Sequence, residues 1–188
     1  MKSTKIKRRN VPEFEPPKPK FIETPYKKID TISESEMESL ESIDNFLFQE
    51  VYSKYIYEIN FPKNCRFKTI DRFSLSSPEL SSKYYSISFP PSLENIEKNA
   101  FYGCHFLHTI TFQKNNSNQN NLHNIESNAF RETMIESISL PNNILKIGSY
   151  SFPKTLKSIE FEDGAPKLKK VGKNAFNHCS SLKQISFI

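Results

Sequence analysis

Cysteine and histidine are the residue types in this chain that would most readily hold a metal ion or act as nucleophile and base. The sequence contains three cysteines and four histidines. Two places put the types side by side: Cys104–His105 and His178–Cys179. Zinc needs four converging ligands at close spacing, and these pairs are far apart in the chain. No Gly-x-Ser-x-Gly, Walker or His-Glu-x-x-His motif occurs. The residues therefore predict no catalytic residue, no metal site, no cofactor and no enzymatic activity.

Cys104 and Cys179 instead occupy equivalent positions in a pattern of residues that repeats along the chain. The first phrase of the repeat reads apolar-x-x-apolar-x-x-x-small-aromatic. In one copy residues 93–96 lead to Ala100 and Phe101. Copies start near residues 40, 67, 93, 122, 144 and 168, the first two being weaker. A repeat of this length is typical of a solenoid.

A second phrase, apolar-x-x-Ile-x-apolar, follows each copy of the first. Its central residue is the same in all six copies: Ile59, Ile87, Ile110, Ile138, Ile159 and Ile185. Apolar residues two positions apart face one side of a strand, and β-branched isoleucine suits such a surface. One unit cannot bury its apolar face alone, whereas stacked units share a core. The pattern predicts a mainly β repeat solenoid, a curved stack of about six units with short turns or helical pieces.

The best copies of the repeat lie in residues 96–110 and 171–185. The second reads Val-Gly-Lys-Asn-Ala-Phe-Asn-His-Cys-Ser-Ser-Leu-Lys-Gln-Ile. This pattern resembles the BspA-like, or Treponema-type, leucine-rich repeat family, whose phrase is close to Ile-Gly-x-x-Ala-Phe-x-x-Cys-x-x-Leu-x-x-Ile. In this chain Thr133 replaces one cysteine, and the unit that contains Ile144 has a shortened linker. The resemblance covers residues 40–188 and implies a leucine-rich repeat solenoid. It also implies a non-enzymatic protein-binding or adhesion role, since members are commonly surface or secreted proteins of bacteria and protists.

The residues that flank the central isoleucines are expected to point outward and to form a polar face for a protein or other macromolecular partner. Most of them carry small hydroxyl groups, which would let a large partner approach the sheet closely. They include no tryptophan or arginine, the types that dominate many interfaces, so a solvated sheet face is the alternative. The candidate partner-binding residues are Glu58, Asn60, Ser86, Ser88, Thr109, Thr111, Ser137, Ser139, Ser158, Glu160, Gln184 and Ser186.

The part before the repeats has a different composition. Residues 1–28 hold nine Lys/Arg and three Glu, and they are followed by seven Asp/Glu without a basic residue in residues 29–50. Prolines are frequent here and apolar residues are sparse, so residues 1–38 are predicted to be a disordered tail and residues 39–188 the repeat domain. The alternative function is an intracellular regulatory adaptor whose basic tail contacts nucleic acid or an anionic membrane. No specific nucleic-acid motif supports it.

Two expectations concern the location of the protein. No apolar run is long enough for a transmembrane segment. The basic residues 1–10 are not followed by an apolar stretch, which favours a cytoplasmic protein over a secreted one. The family resemblance instead suggests the cell surface, and both alternatives stay open.

The two ends of the stack carry expectations of their own. The C-terminal strand is predicted to expose an apolar edge, through which the chain could self-associate. The first unit, residues 40–61, is predicted to cap the other end and to be partly helical around residues 43–52.

Overall fold

A computed structural model describes residues 42–43, 56–76 and 84–188. In these residues the chain forms twelve strands, and each repeat supplies a short strand from its first phrase and a longer strand from its second. The strands are β1 (Ser42–Ile43), β2 (Ile56–Asn60), β3 (Thr69–Ile70), β4 (Tyr84–Phe89), β5 (Asn95–Ile96), β6 (Thr109–Phe112), β7 (Asn124–Ile125), β8 (Ser137–Pro141), β9 (Lys146–Ile147), β10 (Ser158–Glu162), β11 (Lys170–Val171) and β12 (Gln184–Phe187).

The strands form parallel sheets in which each strand pairs with its counterpart in the next repeat. The short strands build one sheet in the order β1-β3-β5-β7-β9-β11. The long strands build two sheets, β2-β4-β6 and β8-β10-β12. Every registered pair is parallel. The predicted solenoid of stacked repeats is therefore confirmed.

The central isoleucines of the second phrase lie in register. Ile59 is opposite Ile87, which is opposite Ile110. In the other long-strand sheet Ile138, Ile159 and Ile185 are aligned in the same way. Those from Ile59 to Ile159 are buried, whereas Ile185 is 50% exposed because its turn is covered on one side only. These aligned side chains form one layer of an elongated apolar core.

A column of aromatic rings fills the interior behind the small residues. Phe101, Phe130, Phe152 and Phe176 stack in succession, with centroid distances of 5.4, 6.1 and 5.2 Å. Aromatic pairs of this kind contribute about 0.5–1.5 kcal/mol each beyond the apolar area that they bury. The alanine or serine that precedes each phenylalanine is buried and leaves room for the neighbouring turn. The small-aromatic dipeptide thus fixes the spacing of the repeats.

A left-handed backbone residue precedes each small residue and turns the chain away from the short strand. Positive φ angles of 55–60° occur at Phe73, Asn99, Asn128, Tyr150 and Asn174. This conformation costs most L-residues about 1–2 kcal/mol, but asparagine adopts it more readily because its short polar side chain can bond locally. The recurrence of asparagine at three of the five positions follows from this requirement.

No helix occurs in the described residues, and tight turns stand where short helical pieces were expected. The N–H groups of Ala100 and Tyr102 donate to the carbonyls of Glu97 and Asn99, at 3.2 and 3.1 Å. Positive φ angles at Asn99 and Gly103 prevent these turns from continuing as a helix. Within the first unit, residues 42–43 form β1, while residues 44–52, predicted to be helical, lie outside the described residues. The predicted disordered tail also lies outside them, so that boundary stays a prediction.

Candidate binding surface

The twelve predicted partner-binding residues lie in registered columns on the long strands. Each column is three residues long, one residue from each strand of its sheet. The columns are Glu58–Ser86–Thr109, Asn60–Ser88–Thr111, Ser137–Ser158–Gln184 and Ser139–Glu160–Ser186. All twelve side chains are exposed or half-buried. The structure therefore presents them on one polar surface, here called the sheet face, and their role in binding stays a prediction.

The sheet face is divided in the middle. Strands β6 and β8 belong to different sheets, although the Met134 N–H donates to the Leu107 carbonyl beside them at 2.9 Å. The division coincides with the longest connection from a long strand to the next short strand in the described residues, between β6 and β7. There Gln113 turns back, and its Nε2 donates to the Phe61 carbonyl at 2.8 Å and the Ser88 hydroxyl at 3.0 Å. The pairing of the long strands is therefore interrupted between β6 and β8.

An ion pair crosses the division. Lys114 Nζ lies 3.0 Å from a carboxylate oxygen of Glu162 and 3.1 Å from one of Asp163. Hydrogen bonds to these two carboxylates raise the pKa of Lys114 above its ordinary value. Glu162 also accepts a hydrogen bond of 2.7 Å from the Ser139 hydroxyl. The connection after β6 is thus tied to β10, and Ser88 and Ser139 of the sheet face already have partners.

Cys104 is buried and Cys179 is half-buried, and the sulfur atom of each bonds to the backbone. Cys104 Sγ donates to the Leu75 carbonyl at 3.0 Å, and Cys179 Sγ donates to the Pro153 carbonyl at 3.2 Å. Burial raises the pKa of the Cys104 thiol to about 12, and burial also raises the pKa of Cys179. Cys104 and Cys179 are free thiols. Thr133 replaces cysteine in its unit and donates to the Phe130 carbonyl at 2.8 Å.

A groove on the turn edge results from unequal turn lengths. The core aromatic and the next core apolar residue are six positions apart at Phe101–Leu107 and Phe176–Leu182, five at Phe130–Ile135 and four at Phe152–Leu156. The two shorter turns therefore extend less far from the core than the longer turns on either side of them. The resulting groove has a volume of about 430 Å³. It is lined by His105, Arg131, Glu132, Thr133, Met134, Tyr150, Phe152, Pro153, Lys154, Asn177 and His178. We call it the turn-edge groove.

An arginine is held between two tyrosine rings at this groove. The Arg131 guanidinium carbon lies 5.9 Å from the Tyr102 ring centroid and 5.7 Å from that of Tyr150. The Tyr102 hydroxyl donates to Glu132 at 3.0 Å, and this hydrogen bond raises the pKa of Tyr102. Asn174 Nδ2 donates to the Tyr150 hydroxyl at 2.6 Å. These contacts order the arginine in the folded protein.

A second groove, of about 470 Å³, lies on the opposite turns, where residues 142–145 form a short connection between two longer ones. Its lining is mainly amide side chains from residues 118–121 and 142–143, together with His123, Pro141, Asp163 and Lys167. Several of these amides already bond to the backbone. Asn142 Nδ2 donates to the Asp163 carbonyl at 2.7 Å, and Asn120 Nδ2 donates to the Gln113 carbonyl at 2.9 Å. The lining therefore holds the connections together.

A family assignment follows from the repeats. The model of the BspA type leucine rich repeat region matches residues 26–122 and 123–188, with six copies. The chain belongs to this family. No curated protein sequence matches the chain. The leucine-rich repeats described above, including the copies that depart most from the phrase, are therefore units of one array.

Solved structures of other proteins are similar to this chain, and the first of those that follow shares its fold. The pneumococcal vaccine antigen PcpA is 19% identical, with a TM-score of 0.52, over 78% of this chain and 43% of that chain. A leucine rich cell surface protein from Faecalibacterium prausnitzii is 19% identical, with a TM-score of 0.37, over 72% of this chain and 48% of that chain. A leucine-rich repeat protein from Bacteroides ovatus is 16% identical, with a TM-score of 0.26, over 79% and 64%. The chain thus spans between two fifths and two thirds of the length of these proteins.

Within the described residues of the leucine-rich repeat domain, no three or more metal-ligating side chains lie close enough together to hold a metal ion. His105 and His178 line the same groove, but Cys104 and Cys179 bond to the backbone of separate turns. A search of the same residues finds no helix of the length and apolarity that crossing a bilayer requires.

The turn-edge groove and its Tyr102–Arg131–Tyr150 stack were not predicted from the sequence. The sequence does contain one indication of the groove, because the number of residues between the core aromatic and the next core residue varies between units. The stack itself is hidden, because Tyr102 and Arg131 follow a core phenylalanine directly, whereas Tyr150 comes two residues before one.

Proposed function

We propose that this leucine-rich repeat domain is a non-enzymatic, adhesion-type module that binds a protein partner through the sheet face. The observation that carries the proposal is the register of the long strands, which places twelve polar side chains in four columns on one surface. A fixed array of small polar groups suits the broad, flat contact that a protein partner makes. Membership of the repeat family supports a binding role.

Site-specific photo-crosslinking tests this proposal. A benzoylphenylalanine is introduced at Thr109 or Ser137, which are exposed residues on either side of the division, or at Lys63 as an exposed control away from the sheet face. We expect the same protein to be captured from Thr109 and Ser137 and not from Lys63. The purified partner should then bind Thr109→Lys and Ser137→Lys variants at least about tenfold more weakly, since a buried unpaired charge costs several kcal/mol. Equal capture at all three positions would contradict the proposal.

A second candidate function rests on the charge of the N-terminal residues. Nine basic residues among residues 1–28 give this part a net charge of +6, which supports an adaptor that contacts nucleic acid or an anionic membrane. Replacing Lys5, Lys7, Arg8 and Arg9 with glutamine should abolish salt-sensitive binding to DNA or phosphatidylserine vesicles. Unchanged binding of the variant would remove this candidate.

Self-association through the C-terminal edge is a further part of the proposal. Val171, Ile185, Phe187 and Ile188 are between 50% and 67% exposed, and β11 and β12 each pair with one neighbouring strand in the described residues. Unpaired apolar strands of this kind readily pair with another chain. Sedimentation velocity should show a mass that rises with concentration and falls in an Ile185→Lys, Phe187→Lys variant. A concentration-independent monomer would contradict it.

A further inference from the structure

The residue types that dominate protein interfaces lie on the turn edge and not on the sheet face. Arginine and tyrosine are enriched among the residues that carry most binding energy, and the twelve sheet-face residues include neither. The turn-edge groove combines Arg131 and Tyr150 with the exposed Met134. Beside its wall, Phe106 is 51% exposed. This edge therefore offers anchoring groups that the sheet face lacks.

The arginine of the groove is ordered before any ligand binds. The Arg131 guanidinium lies between the rings of Tyr102 and Tyr150, at 5.9 and 5.7 Å from their centroids. The Tyr102 hydroxyl donates a hydrogen bond to Glu132, and the Tyr150 hydroxyl accepts one from Asn174, so both rings are held in place. A long side chain that is already fixed loses less conformational entropy on binding than a free one. The guanidinium edge is only weakly engaged, because Nη1 donates to Asn128 Oδ1 at 3.4 Å and Nε lies 3.8 Å from a carboxylate oxygen of Glu132. Nη2 makes no hydrogen bond or ion pair within the described residues and is available to a ligand.

The charge of the groove selects an anionic ligand. Arg131 and Lys154 are exposed cations, and no ion pair with Lys154 is found in the part of the chain that the structure describes. Glu132 is the carboxylate of the lining, and it is engaged by the Tyr102 hydroxyl. Met134, which is 38% exposed, supplies the accessible part of an apolar floor that the buried Phe152 and Pro153 complete. The groove thus combines a cationic rim with an apolar base.

We propose that the turn-edge groove binds an acidic segment of a partner protein, with carboxylates at Arg131 and Lys154 and an apolar side chain over Met134. The proposal deepens the proposed function, because it names the chemistry that a protein partner of this domain would present. Carboxylates match the planar donor edge of arginine. The floor explains why an acidic peptide with apolar residues fits better than a purely charged one.

Fluorescence anisotropy with a defined probe tests the groove. The probe is a fluorescein-labelled peptide of three Glu-Glu-Leu-Glu repeats, added to the full chain in 50 mM salt. The matched peptide contains Gln in place of every Glu. We expect the acidic peptide to bind at least about tenfold more tightly than its amide counterpart, and the difference to shrink at 500 mM salt as charges are screened.

Variants locate the binding. Arg131→Glu with Lys154→Glu should weaken peptide binding by about tenfold or more, whereas Lys63→Glu with Lys169→Glu, exposed lysines outside the groove with the same change of net charge, should alter it less than about twofold. Tyr102→Leu keeps every charge but removes one ring from Arg131, and should weaken binding about threefold. Circular dichroism of each variant verifies that it is folded.

The proposal is overturned if the amide peptide binds equally well, if the acidic peptide does not bind at 1 mM, or if both double variants weaken binding alike. These outcomes are separable from failure of the sheet face. If a protein crosslinks at Thr109 while the peptide fails to bind, the groove assignment alone is lost. If the peptide binds and no protein crosslinks at Thr109 or Ser137, the sheet-face assignment is lost and the groove stands.

Discussion

Replacement of Gly148 with alanine tests how closely the turns are stacked. A Cβ atom at Gly148 would lie 2.3 Å from the Ser127 nitrogen and 2.4 Å from the Glu126 carbonyl carbon, both backbone atoms. The Gly148 N–H also donates to the Ile125 carbonyl at 2.7 Å. An ordinary carbon contact needs roughly 3.5 Å, so the two turns would have to separate by about 1 Å and this hydrogen bond would be stretched or lost.

The expected cost combines two effects. Overpacking a dense interior costs about 1–3 kcal/mol, and loss of one hydrogen bond adds about 0.5–1.5 kcal/mol. We therefore expect the free energy of unfolding to fall by about 2–4 kcal/mol for Gly148→Ala. For a protein of this size, 1 kcal/mol corresponds to about 2–4 °C in Tm, so the melting temperature should fall by about 5–15 °C.

The assay is a thermal melt followed by far-ultraviolet circular dichroism, with urea unfolding as a second measurement. Gly103→Asn is the matched control, because a Cβ at Gly103 meets no atom within 4 Å and asparagine accepts its φ of 75°. That variant should stay within about 1 kcal/mol of the parent. If Gly148→Ala melts within 2 °C of the parent, or no lower than Gly103→Asn, the argument from close stacking is refuted.

Three further predictions concern the core, a buried thiol and the ion pair across the division. Phe130→Ala, in the middle of the aromatic column, should cost about 3–5 kcal/mol in urea unfolding and Phe130→Leu less; equal costs would argue against ring packing. Burial raises the pKa of the Cys104 thiol to about 12 in the folded protein, whereas the pKa of an unfolded thiol is about 8.5. The contribution of this thiol to the free energy of unfolding should therefore be complete below about pH 8.5 and should fall as the pH rises towards 12. Urea midpoints at pH 7 and 10 should differ less in Cys104→Ala, and an identical pH dependence would contradict this. Lys114→Met removes the ion pair with Glu162 and Asp163, and should lower the free energy of unfolding by less than about 1 kcal/mol in low salt and not at all in 1 M salt, as measured by thermal melting. A larger loss of stability that does not depend on salt would show that Lys114 has a different role.

The fold could be predicted from the sequence because its main signals are local and repeated. An isoleucine two positions from another apolar residue indicates a strand with one buried face, and six copies indicate stacking. Phe101, Phe130 and Phe176 could be placed in the core for the same reason. The left-handed turns were also present in the sequence as Asn99, Asn128 and Asn174, but their role depends on a backbone conformation that composition alone does not reveal.

The division of the sheet face and the turn-edge groove could not be predicted in this way. The length of the connection after β6 is visible in the sequence, yet the direction in which Gln113 and Lys114 turn depends on contacts with Ser88 and Glu162 in other repeats. The depth of the groove likewise depends on the difference between neighbouring turns and not on any one of them. Features that arise between repeats of unequal length escape an alignment that treats the repeats as equivalent.

The division between β6 and β8 has a consequence for how the array opens. In a linear array, cooperativity passes from each unit to its nearest neighbours, and here one of the two sheets that couple them is interrupted. Between the third and fourth units the coupling rests on β5–β7 pairing, the Phe101–Phe130 stack and backbone hydrogen bonds between the turns, such as that from the Phe101 N–H to the Ala129 carbonyl. The Lys114 ion pair links the third unit to the fifth. The halves on either side are therefore natural units of partial unfolding, and strain applied along the array would concentrate at this joint.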